Sequence, residues 1–161
     1  MTGLGNSAPS DFDRSKYAPI CPILANTSKI GVILHLSVTR NDGQLVPFGD
    51  LYVVNNALKL GINPTSKIIG RAKGLEVASS QANEIPTWFL CLDFGFSRGK
   101  FKGSSIIICS RSLVLEPERE LAVIGGRKKF RMATGFAKVR TVFANTTDNY
   151  VVSKYDVTVY D

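Results

Sequence analysis

The sequence predicts an all-β domain folded as a closed or nearly closed antiparallel barrel of seven or eight strands. From Lys29 onward, short runs rich in β-branched and aromatic residues alternate with turn signals built from Gly and Asn. No segment carries a convincing helical period over more than two turns. A sheet of many short antiparallel strands removes its exposed edges most completely by closing on itself.

Glycine and asparagine signals place the boundaries between the predicted strands. Asn41-Asp42-Gly43 is a hairpin-type turn, and Gly61-Ile62-Asn63-Pro64 marks the next turn. Gly125-Gly126 is interpreted as the turn between two further strands, because glycine adopts positive φ without steric cost. The chain is thus divided into an N-terminal arm, 1–28, and a barrel domain, 29–161. The expected strands are 30–38, 51–55, 67–79, 88–96, 104–113, 121–124, 130–143 and 150–160.

Length and composition indicate one domain without a membrane-spanning helix. The chain has 161 residues, 44% of them hydrophobic. No apolar run approaches the ~20 residues that a membrane helix needs. The polar segment from Met1 to Ala18 lacks the charged start and apolar core of a secretory signal. No membrane partner is therefore expected, and this segment indicates either a mature form that carries an added Met or a protein of the cytoplasm.

Two of the three cysteines are expected to face each other. Cys91 and Cys109 lie on predicted strands joined by the turn around Lys100, and arms of equal length place them nearly opposite. They form either a cross-strand disulfide or a pair of small buried hydrophobic residues. The sequence favours the second alternative.

Basic residues dominate one part of the chain. The net charge is +7, and eleven Lys or Arg residues lie between Arg98 and Arg140, against three acids. Such a stretch suits nucleic-acid binding, attraction to an acidic polysaccharide, or simply charged turns between apolar strands. The hairpin pattern favours charged turns, so no nucleic-acid partner is expected.

The usual catalytic motifs are missing from the sequence. A single histidine, His35, excludes a multi-histidine metal site, and no paired-Cys motif suggests zinc. Because His35 lies in an apolar run, it is interpreted as a core residue, with a general base as the alternative. No Walker loop and no dinucleotide fingerprint after a strand are present. Neither a metal nor a cofactor is expected.

Four motifs, in order along the chain, resemble the signatures of plant dirigent proteins. The most specific is Arg119 to Gly126 followed by Lys129 to Ala137, which parallels R-E-L-x-V-V-G-G-T-G-x-F-R-x-A-R-G-Y-A. Residues 66–74 parallel S-K-x-V-G-R-A-Q-G, and residues 94–104 parallel F-x-F-x-x-G-x-Y-x-G-S. The tail 151–159 parallels A-V-V-E-Y-N-V-x-V. The resemblance extends from about Phe48 to the C-terminus.

The resemblance implies a fold, an assembly and an activity. Dirigent proteins are eight-stranded antiparallel up-and-down barrels of the allene-oxide-cyclase type, usually homotrimers, with one apolar small-ligand pocket per subunit. They direct the stereochemistry of phenoxyl-radical coupling of monolignols such as coniferyl alcohol in lignan and phenylpropanoid biosynthesis. A separate laccase or peroxidase supplies the radicals, and orientation in the barrel replaces random encounter in water. This role is auxiliary, without an oxidative centre.

Two further implications concern location and alternatives. Family members are typically secreted to the apoplast, which differs from the cytoplasmic reading of the polar N-terminal segment. The alternatives are a non-catalytic cytosolic binding or defence barrel and a cyclase or dehydratase that acts on a quinone methide.

The site candidates follow from the family pattern and from its departures. The family's Asp-Asp after the F-G strand is Asn55-Asn56 here, and asparagine cannot shuttle a proton. Carboxylate-assisted ring closure is thereby in doubt, whereas binding and orientation can survive the change. Asn55, Arg71, Asp93 and Arg140 are the predicted substrate-binding residues, and Asp93 and Asn55 are the catalytic candidates. Each has a structural alternative on the barrel surface.

Overall fold

The chain forms a closed antiparallel barrel in which each strand pairs with the next and the last pairs with the first. The computed structural model describes residues 26–36, 48–81, 83–145 and 150–160, with side chains described for 48–81, 83–145 and 151–160. The predicted all-β antiparallel barrel is confirmed. The strands are β1 (Asn26–Leu36), β2 (Leu51–Lys59), β3 (Ile68–Ala78), β4 (Thr87–Phe96), β5 (Ser105–Leu113), β6 (Arg119–Arg127), β7 (Thr134–Asn145) and β8 (Tyr150–Tyr160).

Helix is confined, in the described part of the chain, to the single 3-10 turn Lys128–Phe130 between β6 and β7. No helix among these residues is long and apolar enough to cross a bilayer. The proposed boundary between arm and barrel falls near the observed start of β1 at Asn26, but 1–25 lie outside the described residues. The division of the chain into an arm and a domain therefore stays a prediction.

The predicted Gly125-Gly126 turn is wrong, because both glycines belong to β6. The strand makes an irregular step between Val123 and Gly125 where it pairs with β5, and it continues to Arg127. The chain reverses only at 128–133. Gly126 is required for packing rather than for turning, since a Cβ there would lie 2.3 Å from the Ser105 carbonyl oxygen and 2.7 Å from the Phe130 Cβ.

Side chains alternate between the interior and the outer wall along most of β3, β4 and β8, as β geometry requires. On β4, the inward positions Leu90, Leu92, Phe94 and Phe96 are buried, whereas Cys91 is exposed between them. Cross-strand pairing carries this alternation to the neighbouring strands, because residues directly opposite each other point to the same face. The register therefore assigns each strand residue to one face.

One end of the barrel is closed by aromatic side chains. Phe96, Phe101 and Phe130 pack together, with ring centroids 4.9 Å apart for Phe101 and Phe130 and 5.8 Å apart for Phe96 and Phe101. Below this aromatic plug the interior is apolar, and Leu58 and Ile106 are almost completely buried. We call this end the plugged end.

Cys91 and Cys109 are direct cross-strand partners on β4 and β5, at the opposing positions expected from the sequence. Both thiols are free. Cys91 is exposed and Cys109 half-buried on the outer wall, so the favoured reading of two buried hydrophobic residues is wrong. Burial first, and contact with Cys91 second, raise the pKa of Cys109 to about 11.

Among the described residues, the pairing between β1 and β2 is the least extensive of the strand pairings. β1 pairs with β8 from Asn26 to Leu36, apart from one irregular step. With β2 it shares the single register pair Ile33 and Leu58 among the described residues. In the described part of the chain, the sheet is therefore closed by a shorter pairing than those between its other strands.

Substitution of the two adjacent glycines of β6 tests the packing at the plugged end. We expect Gly126→Ala to lower the free energy of unfolding by about 1–3 kcal/mol or more, because its methyl group would overlap backbone and Phe130. Gly125→Ala is the matched control, since a Cβ at Gly125 meets nothing within 4 Å. Denaturant unfolding followed by circular dichroism measures both. Equal stability of the two variants would contradict the packing.

Candidate functional site

Asn55 and Arg71, two predicted substrate-binding residues, form a pair on the outer wall. Both side chains are exposed, Asn55 on β2 and Arg71 on β3. Arg71 Nε donates a hydrogen bond to Asn55 Oδ1 at 2.6 Å, and Nη2 donates to the Asn55 carbonyl oxygen at 2.7 Å. The Arg71 guanidinium is thus hydrogen-bonded to β2 on the outside of the barrel.

Asp93 and Arg140, the other two candidates, also lie on the outer wall. Arg127 Nη2 donates to Asp93 Oδ2 at 3.2 Å. Arg140 Nε donates to Glu118 Oε2 at 2.6 Å. This hydrogen bond, with smaller contributions from the charges of Arg140 and Lys138, holds the pKa of Glu118 below its usual value.

The structure therefore brings Asn55 together with Arg71, but it does not bring the four candidates into one interior site. Asp93 lies between the buried residues Leu92 and Phe94, and Arg140 follows the buried Val139, so both occupy outward positions. Whether any of the four contacts substrate stays a prediction. The neighbour of Asn55, Asn56, lies on the inward side of β2 and is half-buried.

A second group of polar side chains lies inside the barrel, toward the end opposite the plug. Tyr52 pairs with Glu76, and Glu76 pairs with the buried Leu90, so this row faces the interior. Glu76 is 7% exposed. Among the described residues it is the one carboxylate at an inward strand position. We call the following group the interior polar set: Tyr52, Asn56, Glu76, Ser110, Arg119, Ser153 and Tyr155.

Tyr155, Glu76 and Arg119 share one electrostatic environment. Arg119 is the cross-strand partner of Val139, which in turn pairs with Tyr155. Burial raises the pKa of the Tyr155 phenol, the charge of Glu76 raises it further, and the charge of Arg119 acts in the opposite direction. The phenol therefore stays protonated at neutral pH and can donate a hydrogen bond.

Arg119 carries an unused donor in this environment. Its Nη2 donates to Thr141 Oγ1 at 2.8 Å. Its Nε is buried and donates no hydrogen bond to any described residue. A buried donor without an acceptor costs about 1–3 kcal/mol, which a ligand oxygen could recover.

The interior polar set is surrounded by apolar side chains. Phe94 packs edge-on against Tyr155, with ring centroids 5.2 Å apart. Tyr52 and Trp88 pack edge-on at 4.9 Å. Such a combination of apolar walls and a few polar groups is typical of small-molecule sites. Chemically, Arg119 and Tyr155 can hold an oxygen, and Glu76 can accept or return a proton.

The described residues contain no cluster of three or more His, Cys, Asp or Glu side chains that could hold a metal ion. The His35 side chain lies outside the described side chains, so its proposed core or base role stays a prediction.

The sequence contained a signal for the interior polar set that motif reading missed. In β3, Glu76 is an even number of residues away from the small residues Gly74 and Ala78, so it lies on their side of the strand. Arg71 and Lys73 lie on the other side. Charged residues on the opposite parity are exposed, so strict alternation assigns Glu76 to the interior. Arg119 likewise lies on the same side of β6 as the apolar Leu121 and Val123.

Comparison with known proteins places the chain in a family. Residues 23–160 match the family model described as dirigent-like protein. The chain is 37% identical over 163 aligned residues to Dirigent protein 15 of Arabidopsis thaliana, covering 97% of this chain and 86% of that protein. The chain belongs to the dirigent family. The motif-based resemblance is therefore confirmed.

Other dirigent relatives are named for a synthase activity. Pterocarpan synthase 1 of Glycyrrhiza echinata is 32% identical to this dirigent protein over 71% of this chain, and the match spans 61% of the synthase. The solved structure of the pterocarpan synthase dirigent protein GePTS1 has a TM-score of 0.75 and 26% identity, covering 84% of this chain and 89% of that chain. The family therefore includes members that are named for pterocarpan synthesis.

The buried phenol of this dirigent protein predicts a loss of stability at alkaline pH. Because the pKa of Tyr155 is higher in the folded state, its contribution is fully present below about pH 10, the ordinary tyrosine value, and is lost as pH rises further. The wild-type free energy of unfolding should fall faster than that of Tyr155→Phe, by up to about 1.4 kcal/mol per pH unit. Denaturant unfolding across this range measures the difference. Parallel curves would disprove the assignment.

Proposed function

We propose that this dirigent protein binds phenolic radicals in its barrel and directs the stereochemistry of their coupling, with coniferyl alcohol as the model substrate. The observation that carries the proposal is the interior polar set, in which the buried Arg119 Nε is an unused donor beside the protonated Tyr155. Two donors fix the oxygen of a phenolic ring, while the surrounding apolar side chains hold the ring itself. Fixed orientation converts a random encounter into a selective one.

The radicals must come from another protein, because the proposal assigns this barrel orientation and not oxidation. A laccase or peroxidase removes one electron and one proton from each phenol, and the two radicals then form the new bond. Since such radicals are short-lived, the oxidase and the dirigent protein must share a compartment. We place both outside the cell, in the apoplast, and the cytoplasm is the alternative.

A second function, ring closure of a quinone methide, is favoured by the position of Glu76. Glu76, on the inward side of β3, can supply the carboxylate that Asn55-Asn56 lacks. Glu76 would take the proton from an attacking hydroxyl as the new carbon–oxygen bond forms. Arg119 and Tyr155 would stabilise the phenolate that develops on the quinone oxygen, which then regains a proton. The reaction is an isomerisation, and no oxidant is consumed.

Removal of the Glu76 charge separates the two functions. With coniferyl alcohol and a one-electron oxidant, Glu76→Gln should lower the rate of ring closure at least roughly tenfold, because general acid–base groups contribute about 10²–10⁴-fold. It should leave orientation during coupling largely intact. Glu120→Gln, which removes an exposed carboxylate from the outer wall of β6, is the matched control. Chiral chromatography of the products measures both effects.

A second pair of variants tests which asparagine faces the reaction. Asn56→Asp places a carboxylate on the inward side of β2 and should change the product ratio, whereas Asn55→Asp should leave it unchanged. Circular dichroism first confirms that the new charge has not unfolded the barrel. An effect of Asn55→Asp alone would reverse the assignment of the two faces.

We also propose that the protein assembles as a homotrimer through the outer wall of β2, β3 and β4. Val53 is 81% exposed and pairs with Leu75, while Leu51 and Phe89 are 59% and 47% exposed on the adjoining row. Contiguous exposed apolar side chains are typical of an interface between subunits. This surface is the apolar face: Leu51, Val53, Leu75, Val77 and Phe89.

Light scattering tests the assembly. The wild type should have three times the 17.5 kDa mass of the chain. Val53→Lys should shift it toward the monomer, because it places a charge at the centre of the apolar face. Ile124→Lys, at an exposed apolar position on β6, is the control and should remain trimeric. A monomeric wild type would refute the trimer.

A further inference from the structure

The loops at the plugged end form a dense positive surface. The β4–β5 loop, 97–104, and the β6–β7 loop, 128–133, contain no acidic residue. Every cation in them is exposed. We call these six side chains the basic end: Arg98, Lys100, Lys102, Lys128, Lys129 and Arg131.

The two loops are held against each other by the aromatic plug. Phe101 of the first loop packs on Phe130 of the second, with centroids 4.9 Å apart. The Lys128 ammonium nitrogen lies 2.9 Å from the position that a Cβ on Gly103 would occupy, so its side chain crosses onto the first loop. The backbone of Lys128 adopts the left-handed conformation, with φ at 57°. The charges are therefore displayed on a fixed support.

The basic end has no carboxylate partner within the described residues. Ion pairs of other residues lie on the outer wall. They join Arg127 to Asp93, Glu118 to the cations of β7, and Lys154 to Asp156. Of the basic end, Lys100 makes a cation–π contact with Phe101, at 4.7 Å from the ring centroid. Like charges gathered without neutralising acids raise the local positive potential and attract polyanions.

We propose that the basic end binds a linear polysaccharide that carries carboxylate groups. Four of its six cations are lysines, whose compact charges on flexible stems need no fixed acceptor geometry and suit carboxylates spaced along a sugar chain. Two neighbouring loops offer several such charges to successive sugar units. This binding is independent of the barrel interior and of the reaction proposed there.

The aromatic side chains argue against single-stranded nucleic acid as the occupant. Proteins that bind single strands stack bases on exposed aromatic rings. Here Phe130 is buried and Phe101 is half-buried, and both are engaged in the plug. No other aromatic residue belongs to the two loops.

The distribution of apolar side chains argues against a bilayer. Attachment to a membrane surface combines cations with apolar side chains that enter the lipid. At this end, exposed Leu60 and Ile62 belong to the β2–β3 turn and not to the two basic loops. The basic loops themselves contribute one strongly exposed apolar side chain, Met132.

Binding to polygalacturonate tests the proposal with the full chain. Titration calorimetry at about physiological ionic strength should detect binding that weakens steeply with added salt. Fully methyl-esterified polygalacturonate, which has the same backbone without the charges, should not bind. Two triple variants remove half of the basic end each: Arg98, Lys100 and Lys102 to Gln, and Lys128, Lys129 and Arg131 to Gln. Each should lower the affinity about tenfold or more.

The matched control removes the same number of cations from exposed positions on the outer wall. The variant with Lys73, Arg111 and Lys138 changed to Gln should retain wild-type affinity, with circular dichroism confirming that each variant is folded. Equal losses in all three variants would overturn the proposal, because net charge alone would explain the binding. Tighter binding to single-stranded DNA or to vesicles containing phosphatidylserine than to polygalacturonate, or no binding to polygalacturonate, would also overturn it.

Discussion

The two-residue period of the β-strand is the constraint on which the rest of this structure depends. Once the sheet closes, each side chain of a strand enters the interior or lies on the outer wall. Leu90, Leu92 and Phe94 take the inward positions of β4, which commits Cys91 and Asp93 to the outside. Cross-strand register then transmits this choice around the barrel. The location of the chemistry is a consequence of the packing.

The fold could be predicted because its signals are repetitive and local. Apolar β-branched runs and turn residues recur along the chain, and the family motifs agree with them. The prediction of a turn at Gly125-Gly126 was wrong because a tertiary contact, and not a turn, requires the glycine. Gly126 leaves room for Ser105 and Phe130, and the chain reverses from Lys128 onward. No short-range sequence pattern predicts that Phe130 will pack into the space that a side chain at Gly126 would occupy.

The site was harder to predict because motif position and strand face are separate properties. The family motifs predicted Asn55 and Arg71 as substrate-binding residues, but the two are hydrogen-bonded to each other on the outer wall. Parity would have indicated Glu76 and Arg119, but only closure of the barrel shows that residues from β3 and β6 act on the same phenol of β8. The change from Asp-Asp to Asn-Asn therefore does not remove every interior carboxylate, since Glu76 is inside.

The short seam between β1 and β2 has a mechanical consequence. A ring of paired strands is as resistant to opening as its least extensive pairing. Among the described residues, β1 pairs along its length with β8 and meets β2 at the register pair Ile33 and Leu58. The other seven strand pairings do not depend on this contact. Backbone amides along the facing edges should exchange with solvent early, through local opening rather than global unfolding. We therefore expect the wall of the barrel to open first between β1 and β2.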